Sequence, residues 1–258
     1  MTEKKCGPRS ALWAFALAGT IAIVTRAAFA AGNQPAVEPA TTAVAPASSE
    51  APKSDGAKTW DFDHDRGYLM PQDWTAVSGK WQVLIDPDAA SQPNTLGLPG
   101  YGLPRTKQMM LWIDSFFTTH YLLAISNDST AYSDFSYESA FKLWGGAWGS
   151  YAGLVFRYTD PQNYYVLRAA FPKDHLALYQ MKGGHLDLIK EVTAALEFGR
   201  WYTLKIDAKG GNFTAYLDGK QMFEAHDDTI ATGRIGVWSQ NDSRASFDNI
   251  KLTPAPSA

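Results

Sequence analysis

The chain has 258 residues and a formal net charge of −3, with 23 lysines and arginines against 26 aspartates and glutamates. No basic run stands out, which disfavours nucleic acid and anionic membrane surfaces as partners. The single cysteine, Cys6, lies among the first thirty residues. The rest of the chain therefore has no disulfide and no cysteine nucleophile or metal ligand.

The first thirty residues have the pattern of a secretory signal peptide. Basic residues at positions 4–9 precede an apolar run at residues 11–24, and residues 28–30 read Ala-Phe-Ala, which fits a cleavage site. The apolar run is shorter than the ~20 residues of an ordinary membrane-spanning helix. We predict export to the periplasm or outside of a bacterial cell, with no membrane span after cleavage; an uncleaved N-terminal anchor is the alternative.

A change of composition marks the start of a folded domain. Residues 31–58 are mostly Ala, Pro, Ser and Thr, which offer little to bury, so they predict a disordered linker. From Trp60 onward the chain is rich in aromatic and β-branched residues. We predict one domain at residues 59–253 and a short tail at residues 254–258.

The domain alternates apolar and polar residues almost throughout, which predicts strands. The alternating segments are residues 80–85, 135–143, 152–158, 164–169, 175–181, 201–208, 212–225, 234–240 and 245–252. Asp218-Gly219 between alternating residues predicts a hairpin with a type I′ turn. Residues 189–199 have a helix-like composition but poor amphipathicity, and we interpret them as a strand and a loop. The fold class is therefore all-β, an antiparallel two-sheet jelly-roll sandwich.

One segment makes a resemblance specific. Residues 199–225, GRWYTLKIDAKGGNFTAYLDGKQMFEA, resemble the strands that precede the last strands of concanavalin A-like and laminin G-like jelly rolls. Together with residues 152–170, 176–184 and 233–250, they resemble the 3-keto-disaccharide hydrolase-like domain, which is related in fold to family-16 glycoside hydrolases. The resemblance covers most of residues 60–252, and its motifs specify the fold rather than an activity.

The sequence lacks the carboxylates of a glucanase. Family-16 glucanases carry a Glu-x-Asp-x-Glu strand, because alternation brings nucleophile and acid to one face. This sequence has no such strand. Asp134 and Glu138 form the nearest acidic pair, and on a strand they would lie ~13 Å apart, too far for a retaining pair. We keep Glu138 as a candidate ligand-binding residue.

Residues 61–67, DFDHDRG, form an acidic cluster at the start of the domain. We interpret it as a solvated turn, because alternation separates His64 from the aspartates. A structural Ca²⁺ held by Asp61 or Asp63 together with Asp248 is the weaker alternative. No other cofactor is indicated.

Two arginines are the main candidates for binding. If residues 160–163 (DPQN) form a four-residue loop, Arg157 lies opposite Val166, and Arg157, Tyr164 and Arg168 share one face. A guanidinium is a rigid fork of donors that suits hydroxyl-rich or carboxylate-bearing ligands. The alternative is a surface on which both arginines pair with acidic residues. The resemblance implies the same positions, since the related domain keeps both arginines and the tyrosine pair.

The sequence departs from the related domains beside this hairpin. Ala170 and His175 replace asparagines, and Lys173 replaces a glutamate. These changes put a catalytic activity in doubt and favour retained binding, for which His175 is a further candidate residue.

Trp144 and Trp148 lie among glycines just before residues 152–158. Burying a tryptophan contributes up to about 5 kcal/mol, but a glycine-rich loop offers little to bury it against. Both rings are candidates for stacking on a sugar; the alternative is that the loop packs them against the sheet edge. The remaining strand tryptophans are expected in the core: Trp74, Trp81, Trp201 and Trp238.

The leading prediction is an exported, non-catalytic carbohydrate-binding domain. One alternative is a glycoside hydrolase or a 3-keto-glycoside hydrolase or lyase, and another is a structural envelope domain that contacts protein. The candidate ligand-binding residues are Arg157, Arg168, Tyr164, Trp148, Trp144, His175 and Glu138.

Overall fold

The computed structural model describes residues 56–85, 107–112, 121–146 and 149–256. The predicted signal peptide and nearly all of the predicted linker lie outside these residues. The described residues contain strands and no helix, hence none that could cross a membrane. The strands are β1 (Lys58–Trp60), β2 (Trp74–Ser78), β3 (Lys80–Ile85), β4 (Lys107–Trp112), β5 (Tyr121–Ser126), β6 (Phe135–Gly145), β7 (Ser150–Asp160), β8 (Asn163–Phe171), β9 (His175–Lys182), β10 (His185–Thr193), β11 (Trp201–Lys209), β12 (Asn212–Leu217), β13 (Lys220–His226), β14 (Arg234–Gln240) and β15 (Arg244–Pro254).

These strands form two antiparallel sheets. The first sheet has the order β13-β12-β11-β6-β15-β4-β3, with β1 paired to β15. The second sheet has the order β10-β9-β8-β7-β14-β5-β2. Sequence neighbours such as β6 and β7 lie in different sheets, so the chain crosses between layers repeatedly. The prediction of an all-β, antiparallel two-sheet sandwich is confirmed.

The interior lies between the two sheets and follows the alternation of the sequence. Phe135, Phe141 and their neighbours on β6 point inward, while β11 contributes Leu204 and Ile206. The ring of Phe156 on β7 meets Phe135 at a centroid distance of 6.0 Å and so joins the two layers. Burying each such side chain contributes about 1.5–3 kcal/mol. The period-2 pattern therefore specifies this core.

Two local predictions are confirmed. Asp218 and Gly219 both have positive φ, 49° and 75°, as a type I′ turn requires. Residues 189–199 divide into the end of β10 at Thr193 and a following loop. The predicted segments did not include β1, β2, β4 or β5. The side chains of Leu122 to Ser126 on β5 are buried on both of its faces, so its sequence shows no alternation.

The β7–β8 hairpin differs from the predicted register. Asp160 pairs with Asn163, so the turn has two residues rather than four, and Phe156 pairs with Tyr165. Three residues of β7 therefore lie opposite one residue of β8. Arg157, the first residue of this bulge, has a φ of 48°. Because a bulge interrupts the alternation, Arg157 points into the interior, opposite to the predicted face, and Tyr158 points outward.

Close contact between strands fixes one glycine in β14. A Cβ on Gly236 would lie 2.5 Å from the carbonyl oxygen of Ala124 and 2.4 Å from Cδ1 of Ile125. The Tyr137 hydroxyl also donates to the carbonyl of Gly236 at 2.8 Å. The sandwich therefore has no room for a side chain at this position.

We predict that Gly236→Ala lowers the free energy of unfolding by about 1–3 kcal/mol, because the added methyl group forces β5 and β14 apart. Urea unfolding followed by tryptophan fluorescence measures the change. Gly67→Ala is the matched control, since a Cβ there meets nothing within 4 Å. Equal stability of the two variants would contradict the packing argument.

Candidate functional site

The outer face of the second sheet, which points away from the interior, carries a cluster of large side chains. Trp238 and Tyr164 are fully buried there although they lie outside the interior core. The ring of Tyr121 stacks on Trp238 at 5.6 Å, and Tyr158 lies 6.1 Å from Tyr164. The outer face of an antiparallel sheet is usually polar. Apolar and aromatic groups on this face therefore form a second buried layer, which we call the outer-face cluster.

Arg168 on β8 extends from this cluster and organises a polar site. Its Nη2 donates to the hydroxyl of Tyr179 and lies 3.0 Å from Nε2 of His175. Its Nη1 donates to Oε1 of Gln240 at 3.3 Å. The guanidinium lies over the rings of Tyr179, at 4.3 Å, and Tyr151, at 5.3 Å. We call these five residues, together with Glu191, the Arg168 site.

Small residues on both sides make room for the arginine. Arg168 pairs with Gly153 on β7 and with Ala177 on β9. His175 and Tyr179 lie two residues to either side of Ala177, on the same face of β9. Each is therefore a diagonal neighbour of Arg168, at a distance of about 7–8 Å that a long side chain can span. A larger residue in place of Ala177 would fill the space of the guanidinium. The register of β8 and β9 therefore assembles the site.

Burial controls the charges in the site. Arg168 is 8% exposed, and burial lowers its pKa, but a guanidinium keeps its proton in proteins. Burial also lowers the pKa of His175, and the charge of Arg168 lowers it further, while Glu191 acts in the opposite direction. A neutral His175 accepts the Arg168 hydrogen bond at Nε2. Burial raises the pKa of Tyr179, so its hydroxyl stays neutral as well.

Glu191 contributes a carboxylate at the edge of the site. Its Oε2 lies 3.5 Å from Nε2 of His175, and its side chain is 43% exposed. A bulge in β10 between Leu188 and Lys190 sets this position, because it brings Glu191 rather than Lys190 opposite Ala177. The site therefore combines one buried cation with one accessible carboxylate.

Of the predicted ligand-binding residues, the structure brings Arg168 and His175 into direct contact. Tyr164 lies on the same face, but its ring is fully buried and its hydroxyl has no hydrogen-bond partner. Burial also raises the pKa of that hydroxyl well above its usual value. Tyr164 therefore supports the face from beneath and does not offer a free ring for stacking. Trp148 lies outside the described residues.

Arg157 does not join Arg168, and the prediction that they share a face is wrong. The bulge turns its side chain inward, where the guanidinium lies 5.1 Å from the ring of Phe213. Nη1 donates to the carbonyl of Ile230 at 2.9 Å, and Nη2 donates to the carbonyls of Ser133 and Gly210 at 2.7 and 2.6 Å. Arg157 is 1% exposed and links three chain segments.

Trp144 and Glu138 lie on the outer face of the first sheet, on the other side of the sandwich. Trp144 belongs to β6 rather than to a loop, and its Nε1 donates to the hydroxyl of Ser246 at 2.6 Å. Nζ of Lys142 lies 4.0 Å from the Trp144 ring and 5.0 Å from the ring of Trp201. Glu138 pairs with a lysine on β15 at 3.9 Å. Neither residue reaches the Arg168 site.

The expectation for the strand tryptophans holds for three of the four. Trp74 and Trp81 are buried in the interior. Trp238 is also fully buried, within the outer-face cluster. Trp201 is only half-buried on the outer face of the first sheet, so its predicted place in the core is wrong.

The structure does not assemble the calcium candidate. Oδ1 of Asp61 accepts from the backbone amide of Asp63 at 3.2 Å, as in an Asx turn. Oδ1 of Asp248 on β15 accepts from the amide of Asn249 at 2.7 Å. Among the described residues, no group of three or more His, Cys, Asp or Glu side chains could hold a metal ion. The proposed set of Asp61 or Asp63 with Asp248 is therefore not supported.

Two open grooves lie elsewhere on the described surface. One, of about 500 Å³, is lined by residues between Lys58 and Asp128, and its ammonium and carboxylate pair with each other. The other, of about 670 Å³, lies at one end of β11 and β12 and is lined by Asp207 and Glu224, among others. Neither groove is lined by a buried arginine, as the Arg168 site is.

Sequence reasoning missed four residues of the site: Tyr151, Tyr179, Glu191 and Gln240. Alternation from His175 could have found Tyr179, since the two are four residues apart on one strand. Tyr151 follows from the pairing of Gly153 with Arg168, which the predicted register missed by two residues. Glu191 and Gln240 lie too far from Arg168 along the chain to be found from local alternation. A bulge in β10 also sets the position of Glu191.

We predict that Arg157→Met lowers the free energy of unfolding by about 3 kcal/mol or more, because three backbone carbonyls lose hydrogen bonds from a charged group, at about 1.5–3 kcal/mol each. Denaturant unfolding measures the loss. Arg200→Met is the control, because Arg200 is exposed and its ion pairs are long, at 3.7 and 3.9 Å. A stability change no larger than that of the control would show that Arg157 is not a structural link.

We predict that His175 makes the free energy of unfolding fall as the pH is lowered. Its pKa is lower in the folded than in the unfolded protein, so its contribution is complete above about pH 6.5 and is lost as the pH falls toward the folded pKa. His175→Gln removes this dependence. The measurement is the difference between the wild-type and variant unfolding free energies from pH 5 to 8, with the exposed His185→Gln as control. A flat difference would contradict the assignment of a buried, neutral His175.

Comparison with known proteins supports the fold and gives the family. The carbohydrate-binding module CBM66 from Bacillus subtilis has a TM-score of 0.53 and 24% identity, over 69% of this chain and 94% of that one. The carbohydrate recognition domain of Emp47p has a TM-score of 0.52 and 13% identity, over 79% and 97%. These structures share the concanavalin A-like jelly roll, as predicted.

The sequence itself has relatives. Levanase of Bacillus subtilis (strain 168) is 30% identical over 180 residues, which is 69% of this chain. The chain matches only 22% of the length of that curated relative. Residues 123–253, just over half of the chain, match the 3-keto-alpha-glucoside-1,2-lyase-like domain. That segment contains all of the Arg168 site and most strands of both sheets, and it confirms the resemblance found in the sequence: the chain belongs to the 3-keto-alpha-glucoside-1,2-lyase-like domain family.

Proposed function

We propose that this protein is an exported, non-catalytic carbohydrate-binding module that recognises a sugar at the Arg168 site. The observation that carries the proposal is a buried guanidinium that stacks on two tyrosine rings and is bordered by polar groups that remain accessible. The similarity to a carbohydrate-binding module and to a carbohydrate recognition domain, and the match to part of a levanase, support the same reading. The signal-like first thirty residues support export.

The chemistry of the site suits a sugar hydroxyl pair. Arg168 supplies donors in a fixed fork, which matches two vicinal hydroxyl oxygens. The side-chain amide of Gln240 can donate to one sugar hydroxyl and accept from another. The carboxylate of Glu191 can accept a hydrogen bond from a sugar hydroxyl. Tyr179 is half-buried and offers a ring face to the apolar side of the sugar.

The carboxylates of the site favour binding over cleavage. Glycoside hydrolysis ordinarily needs two carboxyl groups flanking the scissile bond. The Arg168 site as defined has one, Glu191. Glu138 lies on the other sheet, and the sequence has no Glu-x-Asp-x-Glu strand.

A second candidate function is an elimination on a 3-keto-glycoside, which the family description favours. The accessible carboxylate of Glu191 is a suitable general base for the proton abstraction, and Arg168 is a suitable donor to a developing oxyanion. Glu191→Gln would then abolish turnover. The non-catalytic function predicts no turnover to lose.

We expect the full chain to bind at least one glycan on an array, and Arg168→Gln to weaken that binding at least about tenfold, since a hydrogen bond to a charged group contributes about 1.5–3 kcal/mol. Arg200→Gln, which removes an exposed arginine on the other sheet, should bind as the wild type does. Titration calorimetry gives the affinities, and circular dichroism checks that each variant is folded.

Three other results would change the conclusion. Release of reducing sugar or of an unsaturated keto sugar would favour the enzyme. Unchanged binding by a folded Arg168→Gln variant would show that the sugar binds at another site. A folded wild type that binds no glycan would overturn the proposed function and favour a protein-contact role.

A further inference from the structure

We propose, building on the proposed function, that the sugar bound at the Arg168 site carries an anionic group, a carboxylate or a sulfate, which pairs with the Arg168 guanidinium. The argument rests on an arginine whose positive charge is buried without a negative partner. The partner it implies is part of the ligand.

No side chain that the structure describes pairs directly with the charge of Arg168; the Glu191 carboxylate acts on it only from a distance and raises its pKa. Its three hydrogen-bond partners are a tyrosine hydroxyl, an imidazole and a side-chain amide, all of them neutral. Among the described residues no carboxylate lies within 4.0 Å of its guanidinium, and its Nε is buried without any hydrogen-bond partner. Removing a charge from water is costly unless an opposite charge or a full set of hydrogen bonds replaces the water.

The other buried arginine shows how this chain satisfies a guanidinium when the role is structural. Arg157 donates to three backbone carbonyls at 2.6 to 2.9 Å. Each carbonyl directs the negative end of its dipole at the guanidinium. Arg168 has no carbonyl partner among the described residues, and one of its three bonds is long, at 3.3 Å. Nε of Arg157 also lacks a partner within the described structure, so the two sites differ in what their Nη atoms meet: carbonyl dipoles around Arg157 and neutral side chains around Arg168.

The strand order places Glu191 and Gln240 on opposite sides of Arg168. Glu191 on β10 lies on one side of β8, beyond β9, where it contacts His175. Gln240 on β14 lies on the other side, beyond β7. Gln240 is half-buried at the end of its strand, and its bond to Nη1 is the weakest in the site. A ligand anion that approaches from the β14 side takes the place of this amide and stays away from Glu191.

An anion with two adjacent oxygens fits the remaining geometry. A carboxylate or sulfate accepts two parallel hydrogen bonds from the edge of a guanidinium. The rings of Tyr151 and Tyr179 hold the guanidinium plane by stacking, so its orientation is set before the ligand arrives. Uronic acids and sulfated sugars carry such groups beside the hydroxyls that the proposed function requires.

The test compares the full chain on matched glycans that differ only in charge. The array pairs each uronic-acid oligomer with the neutral oligomer of the same linkage, and each sulfated glycan with its unsulfated form. We expect binding at least about tenfold tighter to the charged member of one pair, and preference within the uronate or the sulfate pairs identifies the source of the anion. Equal binding within every pair would overturn this inference and leave the proposed function intact, whereas a folded protein that binds no glycan would overturn both.

Gln240→Glu provides a second test that does not depend on the choice of ligand. The new carboxylate lies beside Nη1 of Arg168, so we expect it to raise the melting temperature and to weaken binding of the acidic oligomer at least tenfold. Gln72→Glu, at an exposed position just before β2, is the matched control for the added charge. A lowered melting temperature together with unchanged acidic-glycan binding would contradict an uncompensated charge at Arg168.

Discussion

The second sheet buries large side chains on both of its faces, and the candidate site follows from this constraint. On β7, every residue from Ser150 to Tyr158 is buried, and β8 is nearly as enclosed. A polar side chain on such strands must find its partners within the protein or on a ligand. Arg157 does the first, through three carbonyls. Arg168 does so only in part, and that difference distinguishes a structural residue from a candidate binding residue.

Two bulges decide which charges meet on the outer face. The bulge at Arg157 turns it into the interior, and the bulge in β10 brings Glu191 instead of Lys190 opposite Ala177. With strict alternation, two arginines and a lysine would have shared that face. The observed arrangement has one arginine and one glutamate, with a histidine between them. Irregular pairing, rather than composition, therefore sets the charge of the site.

The family and the neighbours in structure agree on the architecture and differ in what they imply about activity. The matched family carries a lyase-like description, while the structures that share the fold are a binding module and a recognition domain. One jelly roll accommodates both, because activity depends on a few side chains on a sheet face. In the function proposed for this chain, those side chains are Arg168, His175 and their neighbours.

The sequence by itself determined the architecture. Alternation at period 2 located most of the strands, and Asp218-Gly219 located one hairpin, because both signals are local and act through the backbone of neighbouring residues. His175 became a candidate through the departures from the related domains, and the register of β8 and β9 places it beside Arg168. Alternation failed for β5, which is buried on both faces and so does not alternate.

Tertiary structure decided what the side chains do. Whether Arg157 pointed inward or outward depended on a bulge that only the pairing of β7 with β8 reveals. The partners of Arg168 come from three strands, β7, β9 and β14, which only the sheet pairing brings together. Trp144 and Glu138 had suitable chemistry, but crossing of the chain between layers put them on the other sheet. The local sequence pattern determines which residues form strands. Packing between segments far apart in sequence sets the register and the strand order, and these determine which strand residues share a site.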